Sequence, residues 1–138
     1  MKVPTVKYTS LGSGAQTSSV TDVWDHFDAD NNPVSIEQNI VKLEFNEEPG
    51  HIDGMRITYR YSDPKTGQTK DGQVVHGTFN EDDVHHSSLA LPGNEYICGA
   101  QVTYGNKGQA DQYVGRVTLW ACHSEGGKAF RAGTFSSR

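Results

Sequence analysis

The sequence has no apolar run long enough to cross a membrane and no cluster of lysines and arginines. The first absence removes a spanning helix, which needs about 20 consecutive apolar residues. The second, with a formal net charge of −5, argues against nucleic acid or an anionic membrane as the partner, since both are held through neutralised phosphates. No segment sustains a helical period, so a helix bundle is not expected. Met1-Lys2-Val3-Pro4-Thr5 is followed by no apolar stretch of signal-peptide type, which leaves a cytoplasmic chain and a secreted, processed one both open. There are only two cysteines, Cys98 and Cys122. They are either one bridge or two small buried hydrophobes, and their strand-like surroundings favour the second.

What is present points to β-structure. The 138 residues include 15 glycines, and the intervening runs are rich in Val, Ile, Thr and Tyr, residues that fit a pleated, half-buried surface. A chain of this length buries enough apolar area to fold as one domain without a metal or disulfide. The sequence also nearly repeats itself. Ile52-Asp53-Gly54-Met55-Arg56-Ile57-Thr58-Tyr59 returns as Ile97-Cys98-Gly99-Ala100-Gln101-Val102-Thr103-Tyr104, and more loosely as Tyr113-Val114-Gly115-Arg116-Val117-Thr118-Leu119-Trp120. Repetition of this kind implies a scaffold of similar supersecondary units with internal pseudo-symmetry.

Turn residues cut the chain into about ten short strands. In Ile40-Val41-Lys42-Leu43-Glu44-Phe45, alternation sets Val41, Leu43 and Phe45 on one face and Lys42 and Glu44 on the other. Asn46-Glu47-Glu48-Pro49-Gly50 reads as a hairpin turn, and Asp63-Pro64-Lys65-Thr66-Gly67 as another. A short strand is expected near Gln73-Val74-Val75, a loop over residues 76–86, and strands near residues 88–91, 96–104 and 114–122. Residues 8–19 read as a strand and a glycine loop.

In this order the elements resemble the jacalin-related lectins. The resemblance rests on Leu11-Gly12-Ser13-Gly14, Glu48-Pro49-Gly50-His51-Ile52-Asp53-Gly54, Val75-His76-Gly77, Asn94-Glu95-Tyr96-Ile97, Arg116-Val117-Thr118-Leu119-Trp120-Ala121-Cys122-His123 and Gly126-Gly127-Lys128-Ala129-Phe130. It covers about residues 5–133, by order and pattern more than by identity. It implies an all-β fold of the β-prism I type, three four-stranded Greek-key sheets around a pseudo-threefold axis, with residues 1–138 as a single domain. Relatives continue with further strands and a second G-x-x-x-D motif. The prism is therefore expected to be incomplete, closed by the N-terminal segment, or completed by a partner chain, because an open sheet edge is a template for pairing.

The resemblance implies a module that binds mannose- or galactose-type glycans. Sugar hydroxyls donate to a carboxylate, and backbone N–H groups are exposed where glycines let the ligand approach. Carried over, the candidate site is Asp53 with the backbone of Gly50, His51 and Ile52, faced by the loop His76-Gly77-Thr78. A second, weaker site would use Gly12 and Gly14, whose carboxylate partner has no counterpart here. Pro49 and Thr78-Phe79 stand where relatives have glycine. The other reading of residues 50–54 is a tight turn with Asp53 capping its own backbone. A degenerate prism serving as an interaction or oligomerisation module, or as the targeting domain of a larger protein, is the alternative function.

The remaining motifs are weaker. Glu81-Asp82-Asp83-Val84-His85-His86 holds metal-ligand types, but in an extended segment adjacent histidines face opposite ways. Asp28-Ala29-Asp30-Asn31-Asn32 imitates a calcium loop, yet Pro33 stands at the required glycine and Asn39 at the bidentate glutamate. Neither supports a metal site, and no cofactor is expected. No strand-elbow-helix motif presents a nucleophile, and Cys122 and His123 point apart on a strand, so no enzyme is expected.

Overall fold

The computed structural model describes residues 26–34, 36, 38–82, 86–106, 108–123 and 129–136. Among the described residues nine strands follow one another: β1 (His26–Phe27), β2 (Pro33–Val34), β3 (Gln38–Glu48), β4 (His51–Ser62), β5 (Thr69–Gly77), β6 (His86–Ala90), β7 (Glu95–Gly105), β8 (Tyr113–His123) and β9 (Ala129–Ser136). They form three sheets, ordered β1-β2, β5-β4-β3-β6 and β7-β8-β9, and every pairing is antiparallel. The chain is all-β, as composition and turn spacing imply. In the four-stranded sheet, β6 returns beside β3 after two hairpins, which is the Greek-key order.

The turn chemistry does what its residues dictate. Pro49 and Gly50 alone connect β3 to β4, with Glu48 opposite His51. Gly50 has φ of 89°, a conformation glycine adopts without steric cost and the one required after proline in a type II turn. Between β4 and β5 the Asp63 carboxylate accepts the Lys65 backbone N–H at 2.8 Å, while the Gly67 N–H donates to the Asp63 carbonyl at 2.7 Å. In the β1–β2 loop, Asp28 accepts backbone N–H groups from Asp30 and Asn32, both at 2.9 Å. These bonds, led by the one from Asn32, hold its carboxyl below the usual range. The calcium-like string is thus a turn that caps itself.

The two larger sheets meet through their apolar faces. Leu43 and Phe45 of β3, Ile57 of β4, Leu89 of β6, Val117, Leu119 and Ala121 of β8 and Phe135 of β9 share one core, with Leu91 just beyond β6. Phe45 and Phe135 touch across the sheets with ring centroids 4.4 Å apart. Burying an aromatic of this size contributes roughly 2–3 kcal/mol. A polar tie runs beside them. The Glu47 carboxylate on β3 accepts the Ser87 hydroxyl of β6 and, at 2.9 Å, the backbone N–H of Ser136 on β9.

Three expectations are corrected. Val41 does not share the core face with Leu43 and Phe45: the ladder shifts between Ile40 and Lys42, so Val41 is an inserted bulge residue and Ile40 packs on the core instead. His76 and Gly77 are not loop residues, because β5 runs on through Gly77 while pairing with β4. Cys98 and Cys122 are not separate hydrophobes but a disulfide, with Cα atoms 5.8 Å apart. The glycine loop at residues 8–19 lies outside the described residues.

Candidate functional site

The bulges explain both the disulfide and the site. In β4 the register passes from Glu47 opposite Ile52 to Asn46 opposite Gly54, which leaves Asp53 without a partner. In β7 it passes from Ile97 opposite Ala121 to Gly99 opposite Trp120, which leaves Cys98 without one. Each middle residue of the repeated Ile-x-Gly is therefore the extra residue of a bulge, released from strict alternation and re-aimed. A second bulge also recurs. Val41 is inserted in β3 opposite Thr58 and Tyr59, and Gly115 in β8 opposite Thr103 and Tyr104.

The repeat is local, however. β4 is a central strand whose bulges face the preceding strand, whereas β7 ends its described sheet and pairs with the following one. The repeated sequence encodes two bulges at a fixed spacing.

Around Asp53 the backbone is crowded. Gly54 lies opposite Gly77. A Cβ on Gly54 would collide with the carbonyl of Thr78, and one on Gly77 with the carbonyl of Asp53. Gly77 also has φ of 75°. This conformation swings Thr78 back so that its N–H donates to the Asp53 carbonyl at 3.2 Å. Two glycines from neighbouring strands thus bring three backbone segments together where Asp53 leaves the ladder.

The Asp53 side chain is 35% exposed, and its Oδ1 lies 3.5 Å from Nε2 of His51, two residues earlier. The His51 ring stands edge-on to Tyr113 with centroids 6.5 Å apart. Tyr113 begins β8, in the other large sheet, and is 39% exposed. Its ring lies over Gly105, where any side chain would occupy the position of the phenol. His51, Asp53 and Tyr113 therefore form a continuous half-exposed row, with Tyr113 from the β7-β8-β9 sheet and the other two from β4.

The remaining candidates fare differently. Gly50 is the open corner of the β3–β4 turn, with nothing within 4 Å of a Cβ placed there. The Ile52 side chain packs on the core, which leaves only its backbone for the site. His76 lies opposite Met55, a residue packed against the core, so it shares that strand face. Gly12 and Gly14 fall outside the described residues. Glu81 reaches Arg56, and His86 stacks against Phe79 at 5.4 Å, while residues 83–85 are outside the described set. Among the described residues, no three His, Cys, Asp or Glu side chains converge on one point.

Tyr113 and Gly54 were not marked as site residues by sequence reasoning. The glycine after Asp53 was the available signal for Gly54, but only sheet packing brings Tyr113 to His51. A second feature is equally hidden in the sequence. Alternation places Glu44 on the polar face of β3, yet its side chain is only 3% exposed. Arg56 of β4 grips it through Nε at 2.7 Å and Nη2 at 3.0 Å. That paired guanidinium, ahead of a smaller contribution from Lys42, holds the Glu44 carboxyl below its ordinary range despite burial. Arg56 lies 4.6 Å from the Phe79 ring centroid and also meets Glu81, so it pins the segment after Gly77 over the sheet.

No protein-family model matches the chain, and no curated protein resembles it at a significant level.

Proposed function

We propose that the protein is a carbohydrate-binding module of the jacalin-related type, recognising mannose- or galactose-type glycans through Asp53. The observation that carries this reading is the Asp53 carboxylate itself, lifted out of the β4 ladder by a bulge, half exposed, and set beside the ring of His51, which in turn meets Tyr113. An ionised carboxylate accepts two hydroxyl hydrogen bonds at once. The imidazole of His51 and the phenol of Tyr113 offer apolar surface to a pyranose ring. Gly54 and Gly77 let the backbones of Asp53 and Thr78 close up at the bulge, where the Thr78 N–H donates to the Asp53 carbonyl. The Greek-key order of one sheet accords with the prism kinship, in which further strands or a partner chain complete the assembly. A glycan array with wild type and Asp53→Ala tests the reading. Binding to hexose-terminated glycans that is lost in the variant supports it, and no glycan bound by the wild type ends it.

A second reading, a prism serving as an interaction or oligomerisation module, draws on exposed apolar groups away from Asp53. Val75 on β5 is 49% exposed and Tyr96 on β7 is 44% exposed. Light scattering after size exclusion distinguishes it: an oligomer that dissociates in Val75→Asp or Tyr96→Asp favours this reading, and a monomer at all concentrations counts against self-association.

A further inference from the structure

The β7-β8-β9 sheet has a face turned away from the core. In β8, Val117, Leu119 and Ala121 belong to the core, so the alternate residues Thr118, Trp120 and Cys122 stand on the opposite side of the sheet. The register carries that face onto the flanking strands. Tyr96 lies opposite Cys122, Gly99 opposite Trp120, and Gln101 and Thr134 on either side of Thr118. Tyr96 is 44% exposed, Cys98, Gln101 and Thr134 are exposed, and Trp120 is half-buried. The indole leans over β7 at Gly99, where a Cβ would come within 3.3 Å of it, so a glycine stands where a ring from the next strand comes close. Tyr96 and Trp120 are diagonal neighbours on this face, with Cα atoms about 7–8 Å apart. The Cys98–Cys122 bridge ties their two strands together between them. Next along the face, the Thr118 and Thr134 hydroxyls meet at 3.3 Å. Since one hydroxyl donates to the other, the pair retains an O–H donor and several lone pairs for a ligand.

We infer that this face is a further carbohydrate site, a stacking platform for an oligosaccharide of β-linked, all-equatorial hexopyranoses. Two aromatic rings with hydroxyls and an amide beside them suit a ligand that is apolar on its flat faces and polar at its rim, which describes a pyranose. An alkyl chain would leave the threonines and Gln101 without partners. None of Tyr96, Trp120, Gln101, Thr118 and Thr134 is charged, so the matching ligand is neutral. In a chain joined through equatorial bonds, each ring is turned over relative to the last, and consecutive rings stack on one platform only if both of their faces are C–H surfaces. The gluco configuration meets that condition, whereas the axial hydroxyl of mannose or galactose spoils one face. Equatorial links also keep the chain extended along the strands, where α-links coil it away from them. The platform shares no residue with the Asp53 row and takes a different sugar class, so the two sites stand or fall separately.

The test is an NMR titration of the whole chain with cellohexaose, its α-linked isomer maltohexaose and β-1,4-linked mannohexaose. The Trp120 indole N–H resonance is assigned by its loss in Trp120→Phe. Cellohexaose is expected to shift that resonance and to bind severalfold more tightly than the other two. Trp120→Ala should weaken it about tenfold and Tyr96→Ala severalfold, while Trp120→Phe, which keeps a ring, retains most of the affinity. Raising salt from about 20 mM to 300 mM should leave binding unchanged, because no ion pair takes part. Far-UV circular dichroism shows whether the variants fold. If Trp120→Ala does not, the exposed positions decide: Tyr96→Ala and Thr134→Val should each weaken binding severalfold, and wild-type affinity in both overturns the inference. Equal binding of the three hexaoses overturns it, as does no binding of any. Cellohexaose binding that is lost in Asp53→Ala but kept in Tyr96→Ala and Trp120→Phe also overturns it, and assigns the sugar to the Asp53 site. A wild type that is dimeric by light scattering and monomeric as Tyr96→Ala gives the face to a second copy of the chain instead.

Discussion

Asp53 and Cys98 occupy the same position within a bulge. Each is the extra residue of a bulge between the Ile and Gly of a repeated Ile-x-Gly, one on β4 and one on β7. A bulge frees its residue from the alternation that otherwise assigns every side chain to a face. In one copy that freedom leaves a carboxylate half exposed. In the other it turns a thiol toward the neighbouring strand, where it bonds to a Cys122 that is itself 1% exposed.

The disulfide closes a segment with a sequence separation of 24. Constraining an unfolded loop of that size is worth about 3 kcal/mol in the chain-entropy account. The double variant Cys98→Ala/Cys122→Ala should therefore lose about 3 kcal/mol in urea denaturation, with a melting temperature lower by about 10 °C. An unchanged midpoint would mean that the bridge adds nothing to stability.

Arg56→Ala should be among the most damaging single changes, because it strands the buried Glu44 carboxylate. Removing one partner of a buried pair costs about 3–5 kcal/mol. The pH dependence has a definite sign. Glu44 titrates lower in the folded chain than its ordinary value, so the stability it adds is complete above the unfolded glutamate value. It is lost as pH falls through the lowered folded one. Denaturation of wild type and Glu44→Gln between pH 2 and 7 should show the variant losing less stability on the acid side, and parallel curves would refute the assignment.

Glycine substitutions should divide by cause. Gly50→Ala meets open space and bears only the cost of positive φ, about 1 kcal/mol. Gly77→Ala meets the same conformational cost and also collides with the Asp53 carbonyl, so its loss should exceed that of Gly50→Ala by at least about 1 kcal/mol. Comparison of the two unfolding midpoints decides this, and equal losses would mean that the backbone around Asp53 has room to yield.

Glu47→Ala removes the acceptor shared by Ser87 and Ser136. Leaving these donors without it should cost about 1–3 kcal/mol. Glu47→Gln, which keeps one oxygen acceptor, should recover part of the loss. Amide exchange gives a local readout: the Ser136 N–H should lose protection in Glu47→Ala, and unchanged protection there would argue against the tie between sheets.

Much of the fold was legible in the sequence. Alternation at Leu43 and Phe45, the Pro49-Gly50 corner and the Asp63 to Gly67 turn are written in local chemistry, because strand faces and turn conformations depend on residues within a few positions of each other. The same local logic misplaced Val41, and it gave no sign that Glu44 is buried on its own face. One inserted residue shifts every side chain beyond it to the other face, and the burial of Glu44 depends on an arginine supplied by the adjacent strand. The disulfide was missed for a related reason, since strict alternation gives no account of a residue that a bulge has displaced.

Of the candidate site, the sequence by itself determined the carboxylate, the histidine two residues before it and the glycine beside it. It also determined that this pattern occurs twice with different chemistry at its centre. The tertiary structure decided what surrounds them. Gly77 reaches Asp53 only because β5 pairs with β4, and Tyr113 reaches His51 only because the two large sheets bury their apolar faces against each other. Those contacts join residues far apart in the chain, and they are set by register and sheet packing, which no short stretch of sequence specifies.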